Sequence, residues 1–383
     1  MLIPHLGGGG AERVMALLAR GLSSEKYELH LGIVTKATAG IVTQASASTD
    51  EFPQHVTIHW LGSPRVRSAG LRLLRLVRSV RPQIVISGMF HLNFLVLLLR
   101  PMFPWSTHVV VRQNGAVSAS LEFDKLAAHN RLLYRMLYRR ADRIICQSEA
   151  MVDDLSVEFG IGTDRLIVLR NPVDVDAVRM ENGHAPERWS GPGPHLLAVG
   201  RLSPEKGFDL LLGALASLRK QFPHADLAIT GAGPEEARLR NLCRELGLES
   251  AVFFAGYVDR PSDWFPGAAV FVLSSRHEGL PNALLEAGAA GLPIVALPAA
   301  GGVAEMLRGL PGVWVCAEIS ATALAASLLE ALRTLEPGQR FTHEFVEPFR
   351  MERAIRGYED LIDATIQDSV PAPDRALAKE RRL

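Results

Sequence analysis

Arg276-His277-Glu278-Gly279-Leu280-Pro281-Asn282-Ala283-Leu284-Leu285-Glu286 lies between an apolar run, Ala269–Leu273, and a helical pattern that stops at Gly291. The run is short and β-branched enough for a buried parallel strand, and Pro281 suits a first helical position, where its missing N–H costs nothing. Strand, loop and helix follow in that order. Glu278, Gly279 and Leu280 then fall in the loop at the strand's carboxyl end, where open α/β sheets bind ligands and free helix N–H groups suit an anion. Glu286 falls one turn further in. Carboxylates accept hydrogen bonds but repel phosphate, so two of them around a phosphate-binding helix start point to a ligand with hydroxyls as well as phosphate. A nucleotide sugar has both. The plain alternative is that Glu278 caps the helix and Glu286 sits solvated on it.

Outward from this stretch the chain alternates short β-rich runs with helical patterns, the sequence form of parallel sheets wound on both faces. In the first half the spacing predicts strands over residues 28–35, 56–61, 84–87, 108–111, 143–147 and 166–169. In the second it predicts 195–199, 226–230, 252–255, 269–273, 293–297 and 313–316. A chain of 383 residues suggests two domains. The Gly-, Pro- and polar-rich stretch from Asn171 to Pro194 reads as the linker. The boundaries drawn are 1–172, 173–346 and a final 347–383, in which an amphipathic helix over 349–366 precedes a mobile, Pro- and charge-rich tail after Val370.

Lys plus Arg and Asp plus Glu are 41 each, so no overall charge points to nucleic acid. The halves differ: residues 1–190 hold 22 basic and 17 acidic residues, the remainder 19 and 24. Cys146, Cys243 and Cys316 are widely spaced, match no metal-ligand pattern and favour a reducing compartment. No signal peptide is evident, and the apolar run Phe94–Leu99 is far short of the ~20 residues that span a bilayer. These features place the protein in the cytoplasm or on a membrane surface. Arg65, Arg67, Arg72, Arg75, Arg78 and Arg81 are interleaved with leucines and valines, and Arg131, Arg135, Arg139, Arg140 and Arg143 with Tyr134 and Tyr138. Such basic amphipathic faces bind anionic headgroups or are simply solvated. Phe90, Phe94, Met102, Phe103 and Trp105 crowd the segment between them, as lipid contacts or as core.

Three further motifs join the first. Ala198-Val199-Gly200-Arg201-Leu202-Ser203-Pro204-Glu205-Lys206-Gly207 puts a planar fork, Arg201, and a point charge, Lys206, at the end of a strand, which suits a diphosphate. Ile229-Thr230-Gly231-Ala232-Gly233-Pro234 ends a strand with glycines and opens a helix, but lacks the third glycine of a dinucleotide fingerprint. Near the start, Gly7-Gly8-Gly9-Gly10-Ala11-Glu12-Arg13 allows close backbone approach, or makes a tight turn. Val14, Leu17, Leu18 and Leu22 give the following helix its buried face. Only Met1–Leu6 precede this loop, so the first strand is unusually short or the start given is late.

A glutamate, seven residues and a second glutamate before Ala287-Gly288-Ala289-Ala290-Gly291-Leu292-Pro293-Ile294-Val295 resembles the signature of the family-4 retaining glycosyltransferases. These have the two-domain GT-B fold. The Arg201 and Lys206 motif resembles the family's phosphate-gripping element, and the Gly7–Arg13 loop its Gly-Gly-x-Glu element. The resemblance runs from Gly7 to about Ile366 and implies a sugar transfer from a nucleoside diphosphate to a hydroxyl, without metal. It makes Glu278, Arg201 and Lys206 catalytic. Gly9, Gly10, Gly231, Gly233, Tyr257, Val258, Gly279, Leu280 and Glu286 become donor-binding, with Glu286 on the ribose. The proton passes to the leaving phosphate in a front-face attack.

The loop Val110-Val111-Arg112-Gln113-Asn114-Gly115 lacks the histidine many members carry there. Glu12, His91, Arg112 and Asn114 are therefore only candidate sugar or acceptor contacts. Asp174-Val175-Asp176 superficially fits a two-aspartate metal motif but lies in the linker, outside its context. The expected donor is a UDP-sugar, the transferred group a hexosyl or N-acetylhexosaminyl unit. The expected acceptor is a polyprenyl-linked saccharide at the inner face of the cytoplasmic membrane, in surface-polysaccharide assembly. Two rival readings are a GT-B epimerase or hydrolase acting on the nucleotide sugar itself and a non-catalytic nucleotide-sugar-binding subunit.

Overall fold

A computed structural model of the chain describes residues 1–6, 10–35, 52–122, 127–180, 189, 191–258, 260–299 and 302–367. The chain divides into two compact units, Met1–Pro172 with the chain from Met351 onward, and Val173–Arg350.

In the first unit, strands β1 (Leu2–Ile3), β2 (Leu29–Ile33), β3 (Val56–Trp60), β4 (Ile84–Ser87), β5 (His108–Arg112), β6 (Arg143–Cys146) and β7 (Leu166–Val168) form one sheet in the order β3-β2-β1-β4-β5-β6-β7. All its pairings are parallel. β1 has only two residues yet sits centrally, Leu2 pairing with Gly32 of β2 and with Ser87 of β4. The helix Gly10–Gly21 buries Val14, Met15 and Leu18 on this sheet. Into the same cluster the helix Met351–Gln367 sends Ile355, Tyr358, Leu361 and Ile362. The two helices fit closely: a Cβ on Gly21 would lie 2.6 Å from Ile355 Cδ1. At the rim Lys26 Nζ pairs with Glu359 at 3.0 Å and the Tyr27 hydroxyl donates to Asp363 at 2.9 Å.

The basic stretch 65–81 is two elements rather than one, a short turn, Val66–Ser68, and the helix Gly70–Val80, which buries Leu73, Leu74 and Val77. Arg81, in the left-handed region at φ 51, stops that helix before Pro82.

In the second unit β8 (His195–Val199), β9 (Asp226–Thr230), β10 (Val252–Gly256), β11 (Val270–Leu273), β12 (Ile294–Ala296) and β13 (Val313–Val315) form a parallel sheet in the order β10-β9-β8-β11-β12-β13. Successive side chains go to opposite faces, as strand geometry requires. Leu196, Val270 and Val272 enter one core, while Leu197, Phe271 and Leu273 enter the other. The helix after β11 is Asn282–Ala289. It starts one residue later than predicted because Pro281, at ψ 112, is still extended and serves as the cap.

Part of the predicted linker is ordered structure, the helix Val175–Met180, whose start is capped by the Asp174 carboxylate accepting from Ala177 N at 2.9 Å. Asp176 pairs with Arg350 at 2.8 Å, and Val173 N donates to Phe349 O at 2.8 Å, so the two ends of the unit meet. Residues 181–188 and 190 of the linker, and the tail after Val370, lie outside the described residues. Cys146, Cys243 and Cys316 are free, buried core residues, and burial pushes each thiol up, that of Cys146 to about 12. Among the described residues no helix is long and apolar enough to cross a membrane.

Candidate active site at the carboxyl end of the second sheet

β8 and β11 are neighbours from which the strand order runs out in opposite directions, the switch point at which open α/β sheets take ligands. The loops that leave β8, β9 and β11 there carry most of the predicted donor residues. After β8 the chain passes Arg201, makes a tight turn over Pro204–Lys206, and reaches Gly207, whose φ of 63 starts the helix Phe208–Leu218. A Cβ on Gly207 would stand 2.0 Å from the Ser274 carbonyl oxygen, so the loops after β8 and β11 touch through their backbones.

The loop after β9 closes on the same turn. Gly231, at φ 138, leaves 1.9 Å between an added Cβ and the Gly200 carbonyl oxygen, and at Gly233 a Cβ would stand 2.3 Å from the Leu202 carbonyl oxygen. No other residue fits either place without moving the chain. Leu202 N donates to Ala232 O at 3.1 Å and Glu235 N to Leu202 O at 2.9 Å, tying the two loops together.

The charged groups are arranged around this contact. The Lys206 ammonium donates to the Glu278 carboxylate, which also accepts from Ser275 Oγ at 2.6 Å. The lysine expected to grip phosphate and the glutamate expected to grip the sugar are thus side by side on facing loops. Arg201 is exposed, and among the described residues no ion pair or hydrogen bond engages its guanidinium. Gly279 is buried and Leu280 half-buried before the helix, and Glu286 within it is only 7% exposed. Tyr257 and Val258 follow β10, two strands from β8, and are half-buried.

A second ion pair was not foreseen from the sequence. Arg276 grips Asp209 with two nitrogens, at 2.9 and 2.7 Å, and donates to Pro204 O at 2.8 Å, while its own N–H donates to Glu205 O at 2.8 Å. Ser274 Oγ adds a bond to Lys206 O at 2.8 Å. These bonds fasten the Glu278 loop to the Lys206 turn. Burial alone would raise the Asp209 carboxyl, but the hydrogen bonds and charge of Arg276 outweigh it and hold the group below its ordinary value. The only sequence signal for the pair was an arginine inside the motif loop and an acid in the first turn of the next helix.

The first-unit candidates are spread over separate elements. Glu12 is buried in the first helix, 3.4 Å from His5 Nε2. His91 is exposed, its ring packed edge-on to Phe90. Gly10 opens the helix, whereas Gly9, with Gly7 and Gly8, lies outside the described residues. Arg112, offered as a sugar contact, is only 1% exposed. Its guanidinium donates to Tyr358 Oη at 3.2 Å and to the side-chain oxygens of Asn114 and Asn171. Asn114 in turn donates to Gly88 O. These bonds give the loop after β5 a structural occupation, as the anchor of the helix Met351–Gln367.

The apolar crowd between the basic segments also divides: Phe103 is buried and Phe94 packs against the core, leaving Phe90, Met102 and Trp105 outside. In the second basic cluster, Arg131 pairs with Glu158 at 3.4 Å and Arg135 donates to Glu158 O at 3.0 Å.

With the geometry in hand, comparison with known proteins gives its class. The family model described as Glycosyl transferases group 1 matches residues 180–343, and that described as Glycosyltransferase Family 4 matches residues 8–177. A Campylobacter jejuni N-acetylgalactosamine-N,N'-diacetylbacillosaminyl-diphospho-undecaprenol 4-alpha-N-acetylgalactosaminyltransferase is 27% identical over 80% of this chain and 82% of its own. The glycogen synthase of Mycobacterium tuberculosis is 31% identical over 73% of this chain and 67% of its own. Among solved structures, Anabaena HepE in complex with UDP and glucose superposes with a TM-score of 0.74 at 17% identity, covering 94% of this chain and 98% of that one, and so shares the fold.

Proposed function

Because this chain belongs to the family-4 glycosyltransferases of GT-B fold, we propose that it is a retaining, metal-independent transferase. It moves a hexosyl or N-acetylhexosaminyl group from a nucleoside diphosphate, UDP first among those to test, to a hydroxyl of a polyprenyl-linked saccharide. The observation that carries this is the convergence of Arg201, Lys206 and Glu278 on the β8–β11 switch point, against two loops that only glycine can close.

The chemistry follows from the charges. As the glycosidic C–O bond breaks, negative charge grows on the leaving diphosphate, and Arg201, Lys206 and the start of the helix Asn282–Ala289 stabilise it. Fixed cations supply what a metal supplies elsewhere. A diphosphate competes with Glu278 for the Lys206 ammonium, and the carboxylate so released accepts from the sugar hydroxyls. The leaving phosphate takes the acceptor's proton, giving attack on the same face and retention of configuration. Glu286, buried one turn in, accepts from the ribose. The Campylobacter jejuni relative acts on a diphospho-undecaprenol-linked saccharide, which supports an acceptor of that class at the cytoplasmic face of a membrane in surface-polysaccharide assembly.

The test is turnover with a panel of UDP-, GDP- and ADP-sugars, preceded by thermal shift. Arg201→Ala and Lys206→Ala should each lower kcat by about 100-fold or more, at ~3 kcal/mol per transition-state contact, with a smaller loss of free nucleoside affinity. Saturating chelator should leave the rate unchanged. Normal rates in both variants, or a loss that magnesium restores, would overturn the diphosphate site. Free sugar or an epimer formed without acceptor would transfer the reading to a hydrolase or epimerase.

A further inference from the structure

We propose that the face of the first unit built from the helix Gly70–Val80 and the end of the helix Phe90–Leu99 docks on an anionic lipid bilayer, with Leu98, Met102 and Trp105 entering the headgroup region. The proposal rests on the lipid-linked acceptor above and names the surface that would bring the enzyme to it.

Leu71, Arg75 and Arg78 are exposed at i, i+4 and i+7, and so form one stripe along the first helix. Leu98 near the end of the second helix, Met102 in the turn Arg100–Met102 and Trp105 in the loop beyond it are exposed in succession. Two contacts join this segment to the first helix. A Cβ on Gly70 would lie 3.7 Å from Leu95 Cδ1, and the Arg78 guanidinium donates to Met102 O through Nε at 3.3 Å and Nη2 at 3.2 Å.

Single exposed apolar residues are ordinary on a protein surface. Here Leu71 is 71%, Leu98 57%, Met102 47% and Trp105 95% exposed on adjoining elements, and a nearly bare tryptophan together with exposed arginines is the composition of an interfacial anchor. Charge selects the occupant: residues 52–121 contain eight arginines and no aspartate or glutamate, and although Arg112 is buried and Arg100 is paired with Asp142, the other six are exposed. A protein partner would have to bring acid matched in position to these six arginines, whereas an anionic bilayer presents it everywhere. Each basic residue near the surface adds to the attraction, and salt screens it.

The experiment is sedimentation of the full chain with phosphatidylglycerol-containing vesicles and with pure phosphatidylcholine vesicles, together with tryptophan emission. Wild type should pellet with the anionic vesicles only, lose binding as salt rises, and shift its emission to the blue. Trp105→Phe should abolish the shift. Arg75→Glu with Arg78→Glu should bind at least ~10-fold more weakly. Arg238→Glu with Arg240→Glu, a charge-matched pair on the second unit, should bind like wild type. Circular dichroism melting checks that each variant is folded.

Equal binding to both vesicle types, no binding at low salt, or equal weakening by both charge pairs would overturn the proposal. A solution dimer that Leu98→Ser dissolves, without vesicle binding, would assign the face to a second copy and overturn it too. Vesicle binding is read without sugar donor, and donor turnover with a soluble acceptor is read without vesicles, so the docking face and the transferase reading fail separately.

Discussion

The three hydrogen bonds from the Arg276 guanidinium join the Lys206–Glu278 pair and the Ser274 hydroxyl in holding the loops after β8 and β11 together. Lysine cannot reproduce a planar fork on Asp209. Arg276→Lys should therefore lower kcat by about 10-fold with little change in UDP affinity, because Lys206 and Glu278 lose their mutual registry rather than their charges. Reversing the pair, Arg276→Asp with Asp209→Arg, should recover part of that loss. Kinetics in which only KM moves would place the pair outside the positioning of the site. The sign with pH follows from the depressed Asp209 carboxyl: the pair's support is complete above the ordinary carboxylate range and fades as the pH falls through the lowered value. Gly231→Ala is more severe, since its Cβ would meet the Gly200 carbonyl oxygen at 1.9 Å. Loss of nucleotide binding in calorimetry is the expected result.

At the scale of elements, the strand positions were readable because parallel strands buried on both faces are short apolar runs bounded by turn residues, and each predicted strand overlaps an observed one. The loop motifs were readable for the same reason, as they sit at the ends of those strands. Partnerships were not. Lys206 and Glu278 are 72 residues apart, Arg276 and Asp209 are 67 apart, and Arg112 meets Tyr358 across 246, distances over which no periodicity carries information. Arg112 therefore read as a ligand contact when its neighbours are the helix Met351–Gln367 and the two asparagines. Tyr358→Phe would leave one of its buried donors unmet, at a cost of roughly 1 to 3 kcal/mol in urea denaturation. His343 gives an independent handle on the second unit. Burial lowers its pKa although its Nε2–H donates to Leu292 O at 2.8 Å. The unfolded chain then takes up a proton near pH 6.5 that the folded chain refuses, so stability is full above that pH and declines below it. His343→Gln should flatten part of this slope.

For the whole molecule, the division at Pro172 and Met351 gives the units unequal independence. The strands β8 to β13 and the loops around Arg201, Gly231 and Glu278 all belong to Val173–Arg350, and that fragment alone should melt cooperatively and bind nucleotide. Met1–Pro172 alone should not. It lacks Ile355, Tyr358, Leu361 and Ile362, four buried side chains worth roughly 6 to 12 kcal/mol of apolar burial, which is comparable to the whole stability of a domain. Calorimetric melting of the two fragments checks both statements, and a cooperative transition in Met1–Pro172 would contradict the second.

The same threading sets an order of events during synthesis. A ribosome finishes Pro172 and must add roughly 180 further residues before Met351 emerges, about 10 to 35 seconds at the usual elongation rates. Over that interval the second unit can complete itself, while the sheet made first waits with one apolar face only partly covered, by the helix Gly10–Gly21. The nascent chain is thus a natural client for factors that shield hydrophobic surface at the tunnel exit, and the helix Met351–Gln367 is the one that releases it.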